Sequence, residues 1–398
     1  MKMRATGSFI TIFVLAILCF VFFNEALAAG VTTFNVVDLG AEPDGETDAA
    51  EIFQRAWCAA CGSPDPAKIY VPEGMFLIRQ AYFSGPCENN NIVFEIWGTL
   101  LAPSDYNVIG NDDNWLAFEN VDGVAIIGGK LYGQGAGLWA CKDSGNECPK
   151  GATNLSITNS KNVVVTGLVS LNSQMFHVVV NRCGRVTMQD IEIKAPGDSP
   201  NTDGIHVQLS YDVTILNSKI TTGDDCISIG PGTKNLWMEN ILCGPGHGVS
   251  IGSLAKNLTE KGVQNVTLKT ATFKNTQNGV RIKAWGRPSK GFAKKIVFKD
   301  LKMRNVHNPI LIDQNYCPDN KNCPGQASGV KIMDVTYQNI LGTSATEVAV
   351  KFDCSKKNPC KRIRMSNVKL KFKKKRARAS CAYVAGEAFG QIEPSSCL

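Results

Sequence analysis

The residues best suited to chemistry stand directly ahead of short apolar strands. Asp203 precedes Gly204-Ile-His-Val, the pair Asp224-Asp225 precedes Cys226-Ile-Ser-Ile, His247 precedes Gly248-Val-Ser-Ile, and Asn278 precedes Gly279-Val-Arg-Ile. Aligned on their apolar positions, these strands bring Asp203, Asp225, His247 and Asn278 into one register, and stacking at about 4.8 Å would make them a column. The outward positions of the same strands carry His206, Ser228, Ser250 and Arg281, with Lys283 two residues further on;. Three carboxylates, an imidazole and two cations then share one patch. Crowded carboxylates hold a proton between them, because like charges a few ångströms apart cannot all ionise. One acid can protonate a leaving oxygen while another activates water, which is what glycosidic hydrolysis needs. His247 can modulate its neighbour's proton, and Arg281 and Lys283 suit the carboxylate of an acidic sugar. Singly each residue is ordinary, since Asp and Asn are common turn residues. Their meeting in four successive repeats is what points to a site.

Such a column requires a solenoid. One strand series runs Asn91-Ile-Val-Phe, Gly123-Val-Ala-Ile, Asn162-Val-Val-Val, Arg185-Val-Thr-Met, Asp212-Val-Thr-Ile, Asn235-Leu-Trp-Met, Asn265-Val-Thr-Leu and Lys295-Ile-Val-Phe. Between its members lies a second series, including His177-Val-Val-Val and Pro309-Ile-Leu-Ile besides the four strands above. Period-two alternation makes these strands. Two strands per repeat in fixed order, with Gly and Asn turns, predict an all-β right-handed parallel β-helix and argue against a sandwich. Residues 47–58 read as a short amino-terminal helix that caps the open first coil, with an apolar stripe of Ile52, Phe53, Ala56 and Trp57;.

At the amino terminus Lys2 and Arg4 precede an apolar run of about 15 residues, shorter than the roughly 20 a membrane span needs, and Ala26-Leu-Ala28 follows. This is the order of a secretory signal peptide over residues 1–28. The remainder, 29–398, has no linker-like composition break and reads as one catalytic domain. Of the 15 cysteines Cys19 falls in the leader, and the even remainder predicts disulfides, with Cys141/Cys148, Cys317/Cys323 and Cys354/Cys360 as close pairs;. Paired CxxC units are absent, which argues against zinc. Asn154, Asn257 and Asn265 open glycosylation tripeptides;. The formal charge of +7 is concentrated late, between Lys369 and Arg378. That run is either a polyanion-binding face or a solvated one. There is no phosphate-binding loop motif, and neither cofactor nor metal is expected. Export and the lack of a recognisable motif point away from nucleic acid. No membrane association after leader removal and a monomeric state are the default expectations.

The segments Asn201-Thr-Asp203, Gly223-Asp-Asp225, Gly246-His-Gly248 and Arg281-Ile-Lys283, in this order, resemble the signature set of the polygalacturonase family, the pectin-degrading glycoside hydrolases. The start, Phe34-Asn-Val-Val-Asp-Leu-Gly-Ala with Asp44-Gly-Glu-Thr-Asp48 and Ala56-Trp57, resembles that family's amino-terminal pattern, so the likeness covers nearly the whole mature chain. Within the family, the stretch from Cys226-Ile-Ser-Ile-Gly-Pro-Gly to Gly-Pro-Gly-His-Gly-Val-Ser-Ile-Gly-Ser253 is most similar to plant exopolygalacturonases, including those of pollen, some of which act as allergens. The resemblance implies a secreted cell-wall enzyme that cuts α-1,4-galacturonosyl bonds of polygalacturonate with inversion. It implies Asp224 as general acid, Asp203 and Asp225 holding and activating water, His247 assisting, and Arg281 with Lys283 binding galacturonate. It also implies exo action from the non-reducing end. Endo action is the alternative, decided by whether loops close the groove, and residues 138–151 are a candidate wall. One point of geometry opposes inversion: carboxylates in adjacent coils could lie only about 5 Å apart, the spacing of retaining enzymes. The offset of Asp224 by one residue could point it away from the other two. A pectate lyase and a non-catalytic wall-binding protein are the rival readings. The Gly-His-Gly and Arg-Ile-Lys segments fit hydrolysis better than elimination, and a mere binder has no need of the full set.

Overall fold

The computed structural model describes residues 30–398 apart from Lys374. The leader read over residues 1–28 lies outside the described residues.

Stacked parallel strands form a right-handed β-helix. Eleven of them, from Ala81–Ser84 to Arg378–Ala382, make one continuous parallel sheet, here the groove sheet. The other strands form a longer sheet whose members bend to give two faces. The bend follows from backbone chemistry. In Lys234–Cys243, Leu236 and Met238 point inward, Asn240 sits at φ +58°, and Ile241 and Cys243 point inward again. One residue at positive φ thus turns the corner and resets the alternation, and Asn tolerates that conformation better than most residues.

From Asn162 onward the polar residue ahead of each strand in the first series does the same at the preceding corner. Asn162, Arg185, Asp212, Asn235, Asn265 and Lys295 all have φ between 54 and 56°. Their side chains form rungs between coils: Asn235 Nδ2 donates to Asp212 Oδ1 at 2.7 Å, and Asn265 Nδ2 to Asn235 Oδ1 at 2.9 Å. Inside, Val, Ile, Leu and Phe from successive coils form one continuous core.

The first helix, α1 (Ala50–Cys61), covers the open end of the core with Phe53, Ala56, Trp57 and Ala60. It begins three residues later than expected because Asp44–Asp48 is a strand paired with Met75–Leu77. Asp48 Oδ1 then accepts from the backbone N–H of both Ala50 and Arg79, each at 3.1 Å. A second helix, α2 (Ala136–Asp143), has no counterpart in the sequence reading and opens the 138–151 insert.

The three close cysteine pairs are bonded, as are Cys61–Cys87, Cys226–Cys243 and Cys381–Cys397. The even count does not mean complete pairing. Cys58 is exposed on α1, and Cys183 is buried against the carbonyls of Ile157 and Asn181. Asn154 needs a correction as a glycosylation site. It is 1 % exposed and its amide donates to Ser170 Oγ at 3.0 Å, so the fold has no room for a glycan there. Asn257 and Asn265 are exposed. No helix among the described residues is long and apolar enough to cross a membrane.

Candidate active site

The groove sheet stacks the chemistry-bearing strands in the expected register. Ile205 pairs with Ile227, Ile227 with Val249, and Val249 with Val280. Two residues upstream in each strand, Asp203, Asp225, His247 and Asn278 therefore stand over one another. One residue downstream, His206, Ser228, Ser250 and Arg281 form the second column.

Asp225 is the electrostatic centre and is 1 % exposed. Its Oδ1 accepts from Ser250 Oγ at 2.6 Å and Arg281 Nη2 at 2.9 Å, and its Oδ2 from Lys283 Nζ at 2.8 Å. Burial works against the ionised carboxylate, but Lys283 and Arg281 outweigh it and hold Asp225 down at about 2;. Arg281 and Lys283, each less than a tenth exposed, reach Asp225 from a single strand two coils further on, and Arg281 Nε also donates to Ser250 Oγ at 3.0 Å. Both cations keep further N–H donors free, since a guanidinium has five and an ammonium three.

Asp203, 6 % exposed, goes the opposite way. Burial and the charges of Asp224 and Asp225 push it well above the ordinary carboxylate range. Two carboxylates of one column are thus driven apart in acidity by their surroundings.

Asp224 is more open, with a fifth of its side chain exposed, and its Oδ1 lies 3.1 Å from His247 Nδ1. The same oxygen accepts from the Asp225 backbone N–H at 2.7 Å, and Asp224 O accepts from His247 N at 2.7 Å. The Cys226–Cys243 disulfide ties the segment bearing Asp224 and Asp225 to the one leading into His247. On the other side of His247, Gly248 has φ +88°, and a Cβ there would lie 2.2 Å from Asn278 O. Glycine is the residue that fits.

Asp224, Asp225 and His247 offer atoms within 4.8 Å of one another, a possible cation-binding grouping. Both oxygens of Asp225 already face Arg281 and Lys283, so a metal there would meet two buried cations. The donor set fits a metal poorly.

Tyr316 was not singled out in the sequence. Its ring lies 5.9 Å from the Arg281 guanidinium carbon and 5.3 Å from Lys283 Nζ, and it packs edge-on against Trp285. The register that pairs Trp285 with Tyr316 across a bulge is the signal that could have found it. His206 lies further along the groove. Its Nδ1 is 2.7 Å from Ser228 Oγ, and burial depresses it to about 4, so the ring is neutral. His206, Phe176 and Lys256 line a cavity of about 530 Å³ on the amino-terminal side, whose far side carries Asp113 and Lys150. Lys150 follows the disulfide-closed insert and pairs with Asp113 at 3.0 Å. A larger concavity of about 770 Å³ lies on the turns around Asn120 and Arg182, and none of Asp203, Asp224 and Asp225 lines it.

The family model for glycosyl hydrolases family 28 matches residues 61–396. The chain belongs to this family. Among curated relatives of the family, a protein named polygalacturonase from Prunus persica is 60 % identical over 96 % of this chain and 97 % of its own length. An exopolygalacturonase from Platanus acerifolia is 42 % identical over 86 % of this chain and 91 % of its own length. Solved structures of similar fold superpose over most of the chain. The exopolygalacturonase of Thermotoga maritima has a TM-score of 0.74 at 20 % identity, covering 91 % of this chain and 92 % of its own. The endo-xylogalacturonan hydrolase of Aspergillus tubingensis has a TM-score of 0.78 at 23 % identity, covering 91 % of this chain and 100 % of its own. At these identities the structures speak for the fold. Family membership makes the chain a glycoside hydrolase of the polygalacturonase group.

Proposed function

We propose that this family 28 member hydrolyses the α-1,4-galacturonosyl bonds of polygalacturonic acid from the non-reducing end, with inversion. The observation that carries the reading is the buried Asp225 clamped by Arg281 and Lys283 beside a second buried carboxyl, Asp203, whose pKa burial and the neighbouring carboxylates raise. Asp224 is the general acid, because it is the most open of the three and His247 can steady its proton. Asp203 is the better base once ionised, since a raised value brings a carboxylate nearer working pH. Asp225 remains an anion that orients the attacking water and stabilises positive charge at the anomeric carbon. Ser250, Arg281 and Lys283 take three of its roughly four acceptor positions;, which leaves room for a water but disfavours it as a covalent nucleophile and favours inversion. The free donors of Arg281 and Lys283 take the galacturonate carboxylate at the floor of the groove.

Exo action is supported by the amino-terminal end of the groove. There α2, the Cys141–Cys148 bridge and the Lys150–Asp113 pair stand beside a cavity of ligand-pocket size;. Six disulfides support export to the cell wall;. The test is product analysis on polygalacturonate for wild type and Asp224→Asn, following reducing ends, chain length and absorbance of unsaturated products. Monogalacturonate as the early product, lost in Asp224→Asn, supports the reading. Mixed oligomers would establish endo action, and unsaturated products or an active Asp224→Asn would overturn the mechanism.

A further inference from the structure

The late run of basic residues is split by the fold. Arg378 pairs with Glu347 at 3.5 Å, whereas Lys369 and Lys371 point outward from Cys360–Phe372 on the second face of the long sheet. That face is stacked with like charge. In the strands below, Lys274 stands opposite Arg304, Lys302 is separated from Lys369 by Leu341, and Lys371 lies beside Thr343. All five cations are exposed. Three cations on the face around the corner are engaged: Lys269 with Glu239 at 2.7 Å, Arg362 with Asp334 at 2.6 Å and Arg364 with Glu387 at 2.8 Å. Among the described residues, none of the five lies within ion-pair reach of a carboxylate, and the acid stacked directly against one of them is Glu393, opposite Lys369. Beyond Lys371 the chain folds back, setting Arg376 opposite Lys371.

Like charges in adjacent strands repel, so a face built this way favours the fold most when an anion lies across it. It also adjoins the groove. Four residues beyond Lys274 is Asn278 of the catalytic column, and four beyond Arg304 is Asn308 of the next groove strand. Four extended residues span at most about 14 Å. This is the carboxy-terminal side of the site, toward which a polymer blocked by the amino-terminal wall must run.

We propose that this face is a second docking surface for the polyuronate, gripping carboxylates on the part of the chain outside the groove. The proposal rests on the polygalacturonate reading. One acidic group per sugar matches cations repeated coil by coil, and several weak exposed contacts add up along one polymer.

The experiment compares wild type with a variant carrying Lys302→Gln, Arg304→Gln, Lys369→Gln and Lys371→Gln. A control has Arg79, Lys130, Lys161 and Arg185, exposed cations of the amino-terminal half, changed to Gln. Measured are retention on polygalacturonate in affinity electrophoresis, KM on the polymer, and the rate on trigalacturonate. The expected result is about tenfold weaker retention and higher polymer KM for the face variant at low salt, fading at high salt. The trigalacturonate rate stays unchanged, which also shows that the variant is folded. Equal losses in the control, or an equal loss on trigalacturonate, would overturn the proposal. Retention that depends on the face in an enzyme releasing no sugar would uphold docking while removing the cleavage reading.

Discussion

Replacing Asp225 with asparagine keeps the shape of the side chain and removes the charge that Arg281 and Lys283 were folded around. A carboxylate lowered from 3.8 to about 2 in the fold stabilises it by about 2 kcal/mol at neutral pH. Removing one partner of a buried ion pair costs about 3 to 5 kcal/mol, because the remaining charges are left buried and uncompensated. A loss of between about 2 and 5 kcal/mol is therefore expected at pH 7. The sign with pH follows from the depressed value. The stabilisation is complete above the unfolded value of 3.8 and disappears as pH falls through about 2, so roughly half survives at pH 3. Because Asp225 also helps to raise Asp203, the cleanest comparison is Asp203→Asn against Asp203→Asn/Asp225→Asn;. The assay is urea unfolding followed by tryptophan fluorescence at several pH values. A difference below about 1 kcal/mol at pH 7, or one that grows as pH falls, would refute the idea that the Arg281–Asp225–Lys283 cluster is held together by charge.

Asp203→Asn should abolish hydrolysis yet raise the Tm at pH 7. A raised folded value makes the wild type lose stability as pH climbs above the ordinary 3.8, so calorimetry should show the two proteins converging in acid;. Breaking the 17-residue loop of Cys226–Cys243 with paired Ala substitutions should cost about 3 kcal/mol in urea unfolding. It should also lower kcat, because Asp224 and His247 lose their shared anchor. Lys150→Ala with Asp113→Ala should lengthen the early products from polygalacturonate, and unchanged monogalacturonate release would mean that this ion pair is no part of the wall. Tyr316→Leu should raise KM about fivefold with little change in kcat, the size expected from losing a cation–π contact under Arg281 and Lys283.

The column of Asp203, Asp225, His247 and Asn278 was legible because a period-two pattern in stacked parallel strands leaves little freedom: once Ile205, Ile227, Val249 and Val280 face the core, the residues beside them must align. The tie between Asp225 and the two cations was not legible, because it depends on how far side chains reach across coils. In the sequence Arg281 and Lys283 are free to be read as substrate ligands alone, whereas the fold has each holding Asp225 as well. The start of α1 was misplaced because Asp44–Asp48, rich in capping residues, was taken into the first coil as an edge strand. The burial of Asn154 was hidden for a different reason. Its tripeptide has the acceptor pattern, but the amide turns inward to Ser170 on the opposite sheet. Helix α2 is short, preceded by Gly135 and interrupted by Gly137 and Cys141, so its few turns leave little periodic signal.

The corner rungs that lock Asp212, Asn235 and Asn265 from coil to coil have a consequence for how such an enzyme can change. Alignment is kept at the corners, so the connections between strands carry little of the load and can lengthen without moving the catalytic column. The step from His247 to Asn278 is longer than the two before it, yet Asn278 still falls into line. New rim segments, such as the insert that opens with α2, can therefore be grafted on one coil at a time, leaving the column as a fixed spine around which the edges diversify.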